Sequence, residues 1–175
     1  MKLTKIGATL ILTFCGASAA TASNTITFNG MVLDQGCDIA VDGGTANATV
    51  DLGSTAATDL ATKGDLGAPK QFVFDLNNCP TSTTANIVFS GPVDAVAADP
   101  SYFANTATLG AATNVAVQLK QGGSNGTIVK NNADNDPITF TDGTASQTYT
   151  AQMIATGQAV AGDVNAVITY NVRYN

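Results

Sequence analysis

Residues 164–174 read Val-Asn-Ala-Val-Ile-Thr-Tyr-Asn-Val-Arg-Tyr, and no other stretch constrains the fold as strongly. Taken two at a time, Val164, Ala166, Ile168, Tyr170, Val172 and Tyr174 share one face, and Asn165, Val167, Thr169, Asn171 and Arg173 share the other. Side chains alternate across a β-strand, so the pattern predicts a strand with one buried face and one mostly wet face. Only Val167 breaks it. The sequence stops one residue later, at Asn175, which leaves this strand with no following hairpin partner. A free strand edge is a row of unpaired N–H and C=O groups, so something earlier in the chain, or another molecule, is expected to cover it.

The other end of the chain reads as an export signal. Lys2 and Lys5 form a positive n-region, Ile6 to Cys15 an apolar h-region too short to span a bilayer, and Ala20-Thr21-Ala22 a cleavage site. Cleavage is expected between Ala22 and Ser23, in preference to the competing Ala17-Ser18-Ala19 site. Cys15 leaves with the signal, and bulky Phe14 before it argues against a lipoprotein signal. Two cysteines then remain, Cys37 and Cys79, and two cysteines in an exported chain are expected to pair. Closing a loop of that length contributes about 4 kcal/mol in the chain-entropy model. Two thiols so far apart, in a chain without His, do not fill a zinc site.

Composition narrows the function classes. The 175 residues contain no His, no Trp and no Glu, so all 13 acidic residues are Asp. The net charge is −6; removing Lys2 and Lys5 leaves 5 basic residues against 13 Asp, or −8. That balance argues against nucleic acid or an anionic membrane surface as partner. Acid–base catalysis would fall to Asp, Lys, Tyr or Cys. Yet Asp34, Asp42, Asp99, Asp136, Asp142 and Asp163 all lie beside or near Gly or Pro, where Asp is an ordinary turn residue. Asp134-Asn-Asp136 lacks the further ligands and closing Glu of a calcium loop. Asn47-Ala-Thr49 and Asn125-Gly-Thr127 match the glycosylation triplet, which arises readily by chance in an Asn/Thr-rich chain. No cofactor is implied, and the chain does not read as an enzyme.

Between the ends, short strands are predicted at 26–32, 48–52, 71–76, 85–89, 114–120, 127–129, 138–140 and 148–156, with a helical turn near 56–61 and loop over 93–111. Spacing of this kind predicts an all-β sandwich of eight or nine strands in a single domain. In the first strand Ile26, Phe28, Gly30 and Val32 alternate with Thr27, Asn29, Met31 and Leu33, and Gly30 leaves a gap in the apolar face. The two ends are therefore matched: one offers a strand, the other an uncovered edge. They could pair within one molecule or between molecules by β-augmentation, and the pattern leaves both open.

Several ordered segments resemble the chaperone–usher fimbrial subunits, and the type 1 fimbrial major subunit family in particular. They are Thr27-Phe28-Asn29-Gly30, then Cys37, Val50-Asp-Leu-Gly53, Phe72-Val-Phe-Asp-Leu-Asn-Asn-Cys79, Phe89-Ser-Gly91 and Ala112-Thr-Asn-Val-Ala-Val-Gln-Leu119. The terminal run adds Gly162, fourteenth from the end, and the penultimate Tyr174. The resemblance implies a pilin fold, an incomplete immunoglobulin-like β-sandwich lacking its last strand and completed by a donor strand. It implies a signal peptide over 1–22, a donor-strand extension over 23–33 and a pilin domain over 34–175. Ile26, Phe28, Gly30 and Val32 become the donor face, with Gly30 the small donor residue. Gly162, Ala166, Ile168, Tyr170, Val172 and Tyr174 become the acceptor groove and chaperone-recognition residues, and Cys37–Cys79 the family's disulfide.

The partners so implied are a periplasmic chaperone, an outer-membrane usher and neighbouring subunits in a head-to-tail polymer. The expected function is a structural subunit of a surface fimbrium, exported through the periplasm and supporting adhesion. The alternative is a self-contained, secreted carbohydrate-binding β-sandwich whose two ends pair internally.

Overall fold

A computed structural model describes residues 36–80 and 84–175, all within the second of the two units into which the chain divides, Leu33–Asn175. The expected signal peptide, its cleavage point at Ala22 and Ser23, and the donor residues Ile26, Phe28, Gly30 and Val32 lie outside the described residues.

Alternation of apolar side chains sets the strands. β1 spans Asp38–Val41, β2 Lys70–Asn77, β3 Thr84–Ser90, β4 Phe103–Ala104, β5 Thr113–Gln121, β6 Thr127–Ile128, β7 Ile138–Thr139, β8 Ala145–Val160 and β9 Thr169–Tyr174. One sheet runs β1-β2-β8-β5-β4, with β6 hairpinned onto β5; the second runs β7-β3-β9. All pairings between these strands are antiparallel, and an isolated bridge, Ala111↔Asp163, is parallel. In β2 the buried positions are Phe72, Phe74 and Leu76, every second residue, which fixes the register against β8 because a slip of one would turn all three outward. This is an all-β, immunoglobulin-like sandwich in which no described residue occupies the strand position beside the free edge of β9.

The core lies between the sheets. Phe74 of β2 meets Tyr149 of β8 edge-on at 5.5 Å, Phe89 of β3 at 5.9 Å and Tyr170 of β9 at 4.8 Å. Ile87, Val117 and Leu119 fill around this aromatic cluster. Burial, and then the negative charge of Asp136, push the Tyr149 phenol well above its ordinary pKa. Cys37 and Cys79 are joined by a disulfide that ties the chain just before β1 to the end of β2, with their Cα atoms 4.2 Å apart.

Four segments differ from the sequence reading. Residues 93–111, read as loop, contain β4, a two-residue strand pairing Phe103 with Val117. β1 emerges directly after Cys37, in a stretch for which no strand was predicted. The expected strand at 48–52 alternates in burial, with Val50 and Leu52 half-buried and Asp51 exposed, yet it joins no ladder. The terminal strand, read from 164, enters its ladder only at Thr169, although half-buried and exposed residues alternate from Val164 onward. The helical turn is a 3₁₀ turn at Ala57–Leu60, buried through Leu60.

Because Phe74 contacts both sheets and is only 2% exposed, Phe74→Ala should cost about 3–5 kcal/mol of stability. Urea unfolding checks this through a lowered midpoint at unchanged slope.

Candidate functional site

β9 is paired on one side only. Its register with β3 runs from Ala85↔Tyr174 to Ser90↔Thr169, and no described residue pairs with its other edge. Along that edge runs an open groove of about 1150 Å³. Its floor is the sandwich core, with Phe74, Phe89, Val117 and Leu119 among the lining residues. One wall is formed by Val164, Ala166, Ile168 and Tyr170, the other by the unpaired segment that carries Val50 and Leu52. All six of these apolar side chains are half-buried and packed against the core. The hydrophobic core is thus slotted open along one line.

Hydrogen bonding shows which way the first wall faces. Asp163 N–H donates to Gly110 O at 2.8 Å, and Asp163 O accepts from Ala112 N–H at 2.9 Å. Asn165 N–H donates to Asn105 Oδ1 at 2.9 Å, and Asn165 O accepts from Thr106 N–H at 2.6 Å. At the far end Asn175 N–H donates to Thr84 O of β3. Odd-numbered residues therefore turn their main-chain groups away from the groove. Successive residues of an extended chain point these groups to opposite sides, so Val164, Ala166 and Ile168 present theirs to the free edge. No hydrogen-bond partner for them exists among the described residues.

Asn105, which the sequence reading did not single out, holds this wall in place. Its Nδ2 donates to Ala112 O at 3.0 Å and to Asp163 O at 2.8 Å, while its Oδ1 accepts from Asn165 N–H and Ala107 N–H. Nothing in the sequence distinguishes it from the many other loop Asn residues. Gly162 has a steric reason to be glycine. A Cβ there would lie 2.4 Å from Gly110 O and Ala112 N, because the chain passes directly over that backbone as it enters the wall.

The six terminal residues singled out in the sequence divide into groups. Ala166, Ile168 and Tyr170 line the groove. Val172 and Tyr174 continue the same face of β9 but lie past the groove's end. There the opposite wall closes toward β9: Tyr170 Oη donates to Ala46 O at 2.7 Å, and Tyr174 Oη accepts from Cys37 N–H at 2.6 Å. Burial pushes the Tyr170 phenol above its ordinary pKa. Gly162 stands at the start of the wall, seven residues before β9 begins.

Several of the acidic residues are engaged by hydrogen bonds or an ion pair. Asp51 accepts from Gly53 N–H, Asp94 from Val96 and Ala97 N–H, and Asp134 pairs with Arg173 at 3.0 Å. Hydrogen bonds from Thr62 hold the Asp65 carboxyl below its usual range, and those from Ser101 do the same for Asp99. Among the described residues, no cluster of three or more His, Cys, Asp or Glu is placed to hold a metal.

A β-sandwich open along one strand position, with its disulfide at the neighbouring corner, matches a known family. The fimbrial protein family model matches residues 26–175. The chain belongs to the fimbrial protein family. It is 37% identical over 164 residues to the S-fimbrial protein subunit SfaA of Escherichia coli, covering 90% of this chain and 88% of that one. It is 33% identical over 156 residues to the laminin-binding fimbrial subunit ElfA of Escherichia coli O157:H7, covering 89% and 86%. In fold it resembles a subunit of a chaperone–usher pilus (TM-score 0.64, 23% identity, 91% of this chain and 99% of that one). It also resembles the P pilus rod subunit PapA (TM-score 0.62, 19% identity, 79% and 99%). This fimbrial subunit is a structural protein of the pilus, exported through the periplasm to the cell surface, where it assembles with neighbouring subunits.

If Asn105 holds the wall, Asn105→Ala should speed amide exchange at Asp163 and Asn165 while leaving the β2–β8 ladder protected. Residue-resolved hydrogen exchange reads both.

Proposed function

We infer that the groove is an acceptor slot for one β-strand, and that in the fibre this strand is residues 26–32 of a neighbouring copy. The observation that carries the reading is the row of unpartnered main-chain groups at Val164, Ala166 and Ile168 beside an open apolar groove. A strand added there satisfies the edge by main-chain hydrogen bonds and places alternate side chains on the groove floor. Ile26, Phe28 and Val32 supply those side chains. Each contributes roughly 1.5–3 kcal/mol on burial. Gly30 allows close backbone approach at one point.

Before assembly the slot is filled by a strand of a periplasmic chaperone, which the residues from Gly162 to Tyr174 recognise, and exchange takes place at an outer-membrane usher. The residues divide into a signal over 1–22, a donor extension over 23–33 and a pilin domain over 34–175. A donor at one end and an acceptor at the other make a heterologous interface that does not close, and such an interface propagates a filament. The role is mechanical, with the fibre supporting adhesion. The engagement of Asp51 and Asp94 in local turn hydrogen bonds supports reading the chain as no enzyme.

Gly30→Arg should abolish fibres while leaving the chaperone complex intact, and deletion of 23–32 should give a subunit that accepts a strand but donates none. Electron microscopy of expressing cells, with pull-down of the chaperone complex, checks both; normal fibres from Gly30→Arg would sink the reading.

A further inference from the structure

The smaller sheet has a second strand edge, on the far side of β3 from β9. There the ladder with β7 covers only Thr84 and Ala85. Thr84 O accepts from Asn175 N–H, so the even-numbered residues of β3 turn their main-chain groups toward the β9 side. Successive residues of a strand point these groups to opposite sides, so Ile87, Phe89 and, just past the strand, Gly91 turn theirs to the outer edge. A row of this kind is a template for pairing with another chain.

Residues 131–135, Asn-Asn-Ala-Asp-Asn, meet each of these positions. Asn131 Nδ2 donates to Gly91 O and Asn131 Oδ1 accepts from Gly91 N–H, both at 3.0 Å. Asn132 N–H donates to Phe89 O at 2.8 Å, and Asn135 Nδ2 donates to Ile87 O at 2.6 Å. A side-chain amide offers an N–H donor and a C=O acceptor, as a peptide unit does. Asn131 therefore pairs with Gly91 as a residue of a neighbouring strand would. The run is also tied from outside this edge. Asn131 N–H donates to Pro100 O at 2.8 Å, Ser90 Oγ donates to Asn132 Oδ1 at 2.5 Å, and Asn86 Nδ2 donates to Asn135 O. Asp134 pairs with Arg173 of β9 at 3.0 Å.

The run covers the edge without extending it. At Ile87 and Gly91 the partners are side chains, so no new row of main-chain groups is laid down alongside β3. Asn132, with φ of 56°, stands in the left-handed region and takes the chain out of strand conformation. We propose that residues 131–135 are a built-in edge guard, which closes the outer edge of β3 to a strand from another copy by occupying its main-chain groups with Asn amides. The consequence for assembly rests on the acceptor-slot reading above. With the β9 edge open and the β3 edge guarded, each subunit takes up one strand, and the fibre grows without branching. Specificity of this kind needs the wrong edge refused as well as the right one accepted.

The test uses the mature chain, Ser23–Asn175, with an excess of a synthetic peptide of residues 23–33 as the incoming strand. Native mass spectrometry counts the peptides held by each monomer. Asn131→Ala/Asn135→Ala uncovers both main-chain groups of Gly91 and the carbonyl of Ile87. This variant should hold one peptide more than the wild type. Hydrogen exchange at Gly91 N–H should quicken in the peptide-free variant and slow again when the extra peptide is bound. Asn131→Asp keeps the acceptor for Gly91 N–H but loses the donor to Gly91 O, and should take up the extra peptide more weakly. It and the single Ala variants serve if the double variant does not fold.

An equal number of peptides on the folded variants and the wild type overturns the proposal, whatever the change in thermal stability, because the amides would then be fold contacts only. The wild-type count reads the acceptor slot separately. A wild type that holds no peptide contradicts that reading, while an extra peptide on the variant still supports the guard.

Discussion

The unpaired edge of β9 is the constraint on which the rest of the structure depends. A main-chain N–H or C=O removed from water without a partner costs free energy comparable to a lost hydrogen bond. Val164, Ala166 and Ile168 carry such groups along the rim of an apolar groove. Water can satisfy them while the groove stays open, but then the core beneath is incompletely covered. Closing the groove would cover the core and bury the edge unpaired. Only an added strand resolves both demands, because it brings a complementary hydrogen-bonding row and apolar side chains together. On the proposed reading, polymerisation follows from this conflict within each subunit.

Everything around the slot serves to keep that conflict unresolved within one subunit. Asn105, Thr106 and the Gly110–Ala112 backbone hold the start of the wall by its outward-facing groups, leaving the inward-facing ones free. Gly162 admits the close chain crossing that this requires. β3 holds the other end of the wall through the β9 ladder. On the opposite side the disulfide fixes Cys37, and with it the main-chain group that Tyr174 contacts.

Much of this was legible in the sequence, for identifiable reasons. The alternation over 164–174 predicted one buried face, and the half-buried positions are those even-numbered residues. Phe72, Phe74 and Leu76 announced β2 because a period of two in large side chains has few other readings. The 48–52 segment alternates like a strand, yet a single sequence cannot say that it joins no ladder among the described residues. β4 was hidden because two residues carry no periodicity, and the pairing of Phe103 with Val117 defines it. Asn105 and the reach of the two tyrosine hydroxyls were hidden because their partners are set by tertiary placement. Val172 and Tyr174, expected to line the groove or to anchor a chaperone, continue the alternation past the point where the opposite wall closes in.

The central claim is that a strand from a neighbouring chain completes the slot beside β9. A high-resolution electron cryomicroscopy map of the assembled fibre tests it most directly. The account predicts residues 26–32 of an adjacent subunit lying beside β9, hydrogen-bonded through the main chain to Val164, Ala166 and Ile168. A fibre in which each subunit fills the slot with its own segment, or leaves it empty, would contradict the account.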